Sequence, residues 1–147
     1  MADYNFVTTR LATGAALSSD ADVQQLVAAG INAVLDARAE FDDAPLFTAD
    51  PSILYCWNPT QDDGQHKPAT YWDKTLAFSL PLLAKPNTKL LFHCAAGVNR
   101  GPSNLACVLM ALGLSSDAAA QMIKAARPIA QIGYLADAAA AVTSLGY

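Results

Sequence analysis

Residues 90–102 constrain the fold and the chemistry of this chain more than any other segment. An apolar stretch of strand length leads into the segment, and an apolar stretch typical of a buried helix leads out of it. Between the two, Cys94 and Arg100 stand at the ends of a loop of small or modest residues. Pro102 suits the first turn of a helix, where its missing N–H costs nothing. The segment therefore predicts a strand, a tight loop and a helix in direct succession.

The loop has the composition that attack of a thiolate on a phosphate ester requires. Cys94 would be the nucleophile, and Arg100 would hold the phosphate oxygens with a bidentate fork. The N-terminus of the following helix carries positive partial charge toward the same anion. We expect a phosphate or sulfate ion to bind here without any metal or cofactor. The remaining phosphate contacts would come from the backbone N–H groups of Ala95, Ala96, Gly97, Val98 and Asn99.

Length and composition indicate one compact domain over residues 1–147, with 53% hydrophobic and 15% charged residues. The net charge of −4 excludes a general nucleic-acid binder held by phosphate contacts. No apolar run is long enough to span a bilayer, so no membrane partner is expected. A nucleophilic thiol needs a reducing compartment. We therefore expect a cytoplasmic monomer.

Strand-like and helix-like segments alternate along the chain. Strands are predicted at 5–10 and 11–14, as a hairpin at the sheet edge, and at 31–37, 53–57 and 88–92. Helices are predicted after Ser19 and at 69–83, 103–114, 117–125 and 134–144, with a loop at 41–51. The alternation predicts an α/β three-layer sandwich, with a mostly parallel central sheet of four to five strands flanked by helices. The loop after Cys94 then lies at the carboxyl end of a strand, where such sheets bind ligands.

The pattern His-Cys-x-x-Gly-x-x-Arg at 93–100 resembles the signature of the cysteine-dependent protein tyrosine phosphatase superfamily, in particular its compact dual-specificity branch. Segment 32–40 resembles the early central strand of that family, and the resemblance spans residues 6–140. It implies a protein tyrosine phosphatase-like fold. It also implies a hydrolase that removes phosphate from phosphotyrosine, phosphoserine or phosphothreonine of a protein, or from a small phosphomonoester, through a phosphocysteine intermediate.

Asp62-Asp63-Gly64 resembles the general-acid loop of the same family. In relatives the acid directly precedes the glycine, so Asp63 is preferred over Asp62 as the proton donor, subject to geometry. His66 is a weaker candidate for this role. The alternative is that both aspartates are solvated turn residues, because Asp-Gly is a common turn pair.

Supporting roles follow from the resemblance as well. His93 would hold the loop by hydrogen bonding, because strand alternation points it away from the loop interior. Gln131 aligns with a segment where relatives carry asparagine or glutamine that orients the hydrolytic water, although a polar residue in a helix-entry turn is an equal interpretation. Arg38 and Glu40 are expected to form structural ion pairs at a strand end.

One departure from the family pattern is Gly101, at a position where the family usually has serine or threonine. That hydroxyl stabilises the departing thiolate, so its absence implies slow breakdown of the phosphoenzyme. The phosphatase of regenerating liver group is similar, with alanine-proline after its arginine. Ser103, two residues farther on, could substitute sterically.

Three cysteines do not form a disulfide framework. Cys56 and Cys107 are expected in the core. If Cys56 lay close to Cys94, a disulfide between them could protect the nucleophile.

Three other functions remain open on sequence alone. The first is a phosphatase for RNA 5′-phosphate or an inositol phosphate; Asn99 is shared with related RNA triphosphatases, whereas an uncharged loop favours single phosphate groups on proteins. The second is a weakly active or non-catalytic phosphate-binding module. The third is a rhodanese-like sulfurtransferase, whose loop is typically shorter.

Overall fold

The computed structural model describes residues 1–48 and 50–147, which form one layered α/β structure. The strands are β1 (Tyr4–Phe6), β2 (Leu11–Gly14), β3 (Ala33–Arg38), β4 (Leu54–Thr60) and β5 (Leu90–His93). The helices are α1 (Asp20–Ala28), α2 (Ala44–Phe47), α3 (Ala69–Leu83), α4 (Arg100–Ala111), α5 (Ser116–Ala126) and α6 (Leu135–Ser144).

The five strands form one sheet in the order β1-β2-β5-β3-β4. Strand β1 is antiparallel to β2 and lies at the edge, while the other pairs are parallel. The prediction of a mostly parallel sheet with an edge hairpin is therefore confirmed. Strand β5, which leads into the cysteine, lies in the middle of the sheet with parallel neighbours on both sides.

Helices cover both faces of the sheet, because successive strand residues point to opposite faces. On one face, Val34 and Leu91 pack in a cluster with Leu26 of α1. On the other face, Leu35 and Phe92 belong to a larger cluster that includes residues of α3, α4, α5 and α6. The predicted three-layer sandwich is thus confirmed.

Local structure differs from the sequence prediction in two places, whereas α3 agrees with it. The segment 41–51, predicted as a loop, contains the short helix α2, which Pro45 enters at its first turn and whose Phe47 ring stacks on Tyr55 at 5.0 Å. Strand β1 ends at Phe6 because the chain then turns, with the backbone N–H of Val7 bonding Leu11 O. Helix α3 continues through Pro81 to its predicted end.

The sheet register places Cys56 away from the nucleophile. Cys56 lies opposite Leu35 on β3, which in turn lies opposite Phe92 on β5. At about 4.8 Å between neighbouring strands, Cys56 is on the order of 10 Å from Phe92, and Cys94 lies two residues beyond. Disulfides require Cα atoms closer than about 7 Å. The condition for a protective disulfide between Cys56 and Cys94, that the two lie close together, is not met in this fold, and all three cysteines are free.

No helix in the described part of the chain combines the length and the apolarity that crossing a bilayer requires.

Replacing Leu35 tests how much the buried side chains of strand β3 contribute to the stability of the fold. Leu35 is fully buried between the sheet and the helices, so Leu35→Ala should lower the free energy of unfolding by about 2–5 kcal/mol in urea denaturation. Leu54→Ala is the matched control, because Leu54 is 51% exposed on edge strand β4. The control should change stability by no more than about 0.5 kcal/mol. Equal losses in the two variants would contradict the described packing.

Candidate active site

The candidate residues gather at the carboxyl ends of the parallel strands. Strand β5 ends at His93, and the register sets Gly14 of β2 and Asp36 of β3 beside it. Strand β4 ends at Thr60, so the acid loop begins at the same edge of the sheet. The sequence correctly placed the cysteine loop where such sheets bind ligands.

The carbonyl oxygens of residues 95–98 all bond to donors outside the loop. In chain order, their donors are Ala16 N at 3.0 Å, Arg127 Nη2 at 3.0 Å, Arg127 Nε at 2.9 Å and Gln131 N at 2.9 Å. A second donor, Ile132 N, reaches the last carbonyl at 3.1 Å. The loop is therefore held from outside at every one of these peptides.

Since a peptide's N–H points away from its C=O, outward carbonyls turn the following N–H groups inward. Within the described residues, the backbone N–H groups of 95–99 donate no hydrogen bond. They form a concave set of donors of the kind that binds a tetrahedral anion. These are the five residues that the sequence assigned to phosphate binding.

Gly97 is required by both backbone and space. Its φ of +69° lies in the left-handed region, which side chains resist. A Cβ there would also lie 2.5 Å from Arg127 Nη2 and 2.7 Å from the carbonyl carbon of Gly14. The glycine therefore allows the arginine to approach the loop.

Arg127 is the brace of this loop, and the sequence analysis missed it. Besides its two bonds to the loop, its Nη1 donates to Asp3 Oδ1 and Asn5 Oδ1, both at 2.9 Å, and its Nη2 donates to Asp3 Oδ2 at 3.1 Å. All five N–H groups of this buried guanidinium are thereby used. Arg127 follows α5 directly, and nothing in the local sequence indicates its distant partners.

Arg100, by contrast, keeps part of its guanidinium unoccupied. Nη1 donates to Glu40 Oε1 at 2.6 Å and to Thr60 O at 2.9 Å, and Nη2 donates to Glu40 Oε2 at 2.8 Å. The buried Nε has no hydrogen-bond partner among the described residues. Nε–H and the second hydrogen of Nη2 share one edge of the planar group, which is the fork that grips two oxygens of a phosphate.

Glu40 therefore orients the arginine, a role that sequence reasoning did not give it. The ion pair expected for Glu40 exists, but its partner is Arg100. The hydrogen bond from Arg100 lowers the pKa of Glu40 to about 2. The same bond raises the pKa of Arg100, against the opposing effect of burial.

His93 is buried beneath the loop in a cluster of charges. Its Nε2 lies 2.5 Å from Asp43 Oδ2, without the alignment of a hydrogen bond, and its Nδ1 lies 3.3 Å from Cys94 O. Arg38 contacts both carboxylates of the cluster, Asp36 at 3.1 Å and Asp43 at 2.6 Å. Burial raises the pKa of Asp36, and the charge of His93 offsets part of that effect.

The same cluster offers metal-ligand atoms, from Asp36, Asp43 and His93, within 4.8 Å of one another. Arg38 already supplies the cation between the two carboxylates, so the cluster fits an internal charge network that supports the loop. The structural ion pair expected for Arg38 is present.

The two aspartates of the acid loop have different surroundings. Asp62 lines a pocket of about 390 Å³ beside Arg100, together with Glu40, and accepts a hydrogen bond from Tyr134 Oη at 2.8 Å. Asp63 instead pairs with Lys67 Nζ at 2.6 Å, and this bond lowers the pKa of Asp63. Asp62 faces the pocket that Arg100 lines, while Asp63 is held by Lys67, so the geometry favours Asp62 as the proton donor, whereas the sequence preferred Asp63.

The His66 side chain contacts helix α6 instead of the pocket beside Arg100. Its Nδ1 lies 2.8 Å from Asp137 Oδ1 on α6, and its side chain is 73% exposed. This contact anchors the acid loop to α6.

The surroundings of Gly101, at the position where the family usually has serine or threonine, leave little room for a side chain. A Cβ on Gly101 would lie 3.1 Å from both His93 Cα and Phe92 O, because α4 packs directly on the end of β5. Ser103 Oγ accepts from Tyr134 N at 3.1 Å, so this hydroxyl is turned toward the start of α6.

Gln131 and Asn99 contribute to the loop region through different atoms. Gln131 holds the loop by its backbone N–H, while its side chain is exposed, and the water-orienting role stays a prediction. Asn99 Oδ1 accepts from Gly133 N at 3.1 Å.

Known structures share this architecture. PTPMT1 in complex with PI(5)P gives a TM-score of 0.80 at 15% identity, covering 97% of this chain and 96% of that chain. A mouse putative dual specificity phosphatase complexed with zinc tungstate gives 0.79 at 24% identity, covering 99% and 89%. A variant of human DUSP28 gives 0.77 at 22% identity, covering 97% and 96%.

The chain therefore has the fold of the cysteine-dependent protein tyrosine phosphatases in their compact dual-specificity form. The human tyrosine phosphatase-like serine/threonine/tyrosine-interacting protein shares it too, with a TM-score of 0.76 at 14% identity, covering 99% of this chain and 96% of that chain. No family model and no curated protein sequence matches the chain. At these identities the similarity concerns the fold, and activity must be argued from the site.

Gly97→Ala should abolish anion binding by the loop. The new Cβ would meet Arg127 and strain a left-handed backbone, a cost of at least about 1–2 kcal/mol. Phosphate should then no longer raise the midpoint of thermal unfolding, as it should in the wild type. Gly113→Ala is the matched control, since Gly113 also has positive φ but open space around its Cβ position. Unchanged phosphate stabilisation in Gly97→Ala would exclude this loop as the anion site.

Proposed function

We propose that this protein is a cysteine-dependent phosphatase that hydrolyses phosphomonoesters on protein side chains. The observation that carries the proposal is the donor set around the loop. The inward N–H groups of 95–99 and the unpartnered edge of Arg100 have no acceptor among the described residues, so they are available to a tetrahedral dianion. Its working state would be a monomer in a reducing compartment such as the cytoplasm, because the thiol must stay reduced.

The reaction proceeds in two displacements. The Cys94 thiolate attacks phosphorus, the bond to the ester oxygen breaks, and the acid loop protonates the leaving alcohol or phenol. Water then attacks the phosphocysteine, the same carboxylate accepts its proton, and the S–P bond breaks to release inorganic phosphate and the thiolate. The loop amides and Arg100 stabilise the charge on the equatorial oxygens in both steps.

Asp62 is the proton donor in this proposal. Its carboxylate borders the pocket that Arg100 also lines, which is where a leaving group would emerge from the loop. Asp63 is the second candidate, supported by the resemblance. To act, Asp63 would have to leave Lys67, whose side chain is largely buried.

Negative charge around the pocket beside Arg100 favours a phosphoprotein over a polyphosphorylated substrate. Glu40 and Asp62 line the pocket, Asp63 is close by, and the nearby cations are already paired: Lys67 with Asp63, and Arg127 with Asp3. A substrate carrying further phosphate groups would meet carboxylates there, a repulsion that is strongest at low ionic strength. A phosphotyrosine, with phosphoserine or phosphothreonine as further substrates, adds no such charge.

A second candidate substrate is a phosphoinositide. The observation in its favour is the similarity to PTPMT1, whose structure was determined in complex with PI(5)P. A panel of phosphopeptides, inositol phosphates and RNA 5′-phosphate, assayed at equal concentration, would rank the classes. The proposal expects phosphopeptides with neutral or basic flanking residues to give the highest kcat/KM.

Hydrolysis of a generic aryl phosphate tests the activity directly. Cys94→Ser should remove turnover almost completely, while Cys56→Ser, a matched thiol outside the site, should retain it. Asp62→Ala should lower kcat by roughly 10²–10⁴-fold, and Asp63→Ala by much less. Phosphate affinity should persist in the inactive variants, as measured by competition.

Each contrary result has a definite meaning. Activity that survives Cys94→Ser would refute the mechanism. A larger loss in Asp63→Ala than in Asp62→Ala would assign the acid to Asp63. No activity in the wild type, combined with phosphate binding, would leave a phosphate-binding module. Thiosulfate turnover that depends on cyanide would instead indicate a sulfurtransferase.

Breakdown of the phosphoenzyme should limit turnover. Gly101 lacks the hydroxyl that would stabilise the departing thiolate, and Ser103 Oγ is engaged by Tyr134 N. Stopped-flow measurement should therefore show a burst of released phenol, close to one equivalent per active site, before the slower steady state. A linear progress curve from the first turnover would contradict this prediction.

A further inference from the structure

Tyr134 links the acid loop to the helix that follows the cysteine loop. Its ring is buried at the start of α6, and its backbone N–H donates to Ser103 Oγ on α4 at 3.1 Å. Its hydroxyl donates to Asp62 Oδ1 at 2.8 Å and accepts from Gly64 N at 3.0 Å. Among the described residues, Tyr134 is the only hydrogen-bond donor to the Asp62 side chain.

We propose that Tyr134 is a positioning residue, which holds the Asp62 carboxyl beside Arg100 through the hydrogen bond from its hydroxyl. This inference rests on the proposed function, in which Asp62 is the proton donor and later the base. Asp62 is exposed and lies on a loop, so without a fixed donor its side chain would sample many rotamers. The hydrogen bond from the buried phenol restricts the Asp62 side chain to one position.

The hydroxyl can serve both protonation states of Asp62. With the carboxylate ionised, the phenol donates to Asp62 Oδ1, which lies 2.8 Å from Tyr134 Oη. With Asp62 protonated, the phenol proton can turn to Gln61 O, at 3.4 Å, and the hydroxyl oxygen can accept from the carboxylic acid. Gly64 N donates to the hydroxyl in either state.

Other contacts fix the loop as a whole but do not touch the Asp62 carboxyl. Asp137, on the same helix as Tyr134, accepts from Lys67 N at 2.8 Å and contacts His66 at 2.8 Å. Lys67 Nζ lies 5.1 Å from the Tyr134 ring centroid and pairs with Asp63.

The charges that face Asp62 come from the two elements across the pocket. Arg100 of α4 attracts its carboxylate, and Glu40, which follows β3, repels it. Loss of the Tyr134 hydroxyl would leave Asp62 with these long-range charges alone, so a specific effect of the hydroxyl is measurable.

Tyr134→Phe tests the proposal, because it removes the hydroxyl and keeps the ring. The kcat for an aryl phosphate should fall while KM stays close to the wild-type value, since the phosphate-binding loop is intact and only the proton donor is no longer held in place. The fall in kcat should be larger for a substrate with a poor leaving group, which depends more on the acid. Tyr147→Phe, at an exposed tyrosine outside the site, should leave both unchanged.

A double mutant separates positioning of the acid from support of the fold. In an Asp62→Asn background, Tyr134→Phe should have no further effect on kcat, because the group it acts through is gone. An equal loss in both backgrounds, or a loss that does not depend on the leaving group, would overturn the inference. A wild type without cysteine-dependent hydrolysis would instead refute the proposed function, so the two failures are distinguishable.

Discussion

The outward anchoring of the loop carbonyls is the constraint on which the rest of the site depends. A loop that turns consecutive N–H groups inward leaves them without partners, and unpaired polar groups are costly when water is excluded. The compensation comes from outside: Ala16, Arg127 and Gln131 occupy the opposite ends of the same peptides. The loop is thereby held open for an anion before any anion arrives, which is the preorganisation that catalysis of phosphoryl transfer uses.

The two buried guanidinium groups of the site differ in how many of their N–H donors have an acceptor within the protein. Arg127 uses every donor on protein acceptors, and so acts as a fixed brace. Arg100 gives Glu40 and Thr60 only the far side of its plane and keeps its inner edge unpartnered. Counting donors distinguishes a structural arginine from one reserved for a ligand, although both are almost equally inaccessible to solvent.

Much of this could be read from the sequence where the signals are local. Apolar flanks and Pro102 define the strand, loop and helix, and the alternation of elements gives the three layers. The partners of the two arginines could not be read, because Glu40 lies 60 residues from Arg100 and Arg127 lies 30 residues from Gly97. Neither of these long-range pairs produces a periodic pattern in the sequence. The choice between Asp62 and Asp63 depends on the loop backbone, since adjacent residues point in different directions. Helix α2 was missed because one turn is too short to show periodicity.

The tie between Asp3 and Arg127 joins positions 124 residues apart. Contacts at such separation form only after most of the intervening chain is ordered, because closing a long loop costs entropy that nearby contacts must first offset. Strand β5 and helix α4 can assemble with their neighbours earlier, while Arg127, which braces the loop between them, gains its partners Asp3 and Asn5 only when the amino-terminal strand docks. We therefore expect the ability to bind an anion to appear late in folding and to be lost early in unfolding.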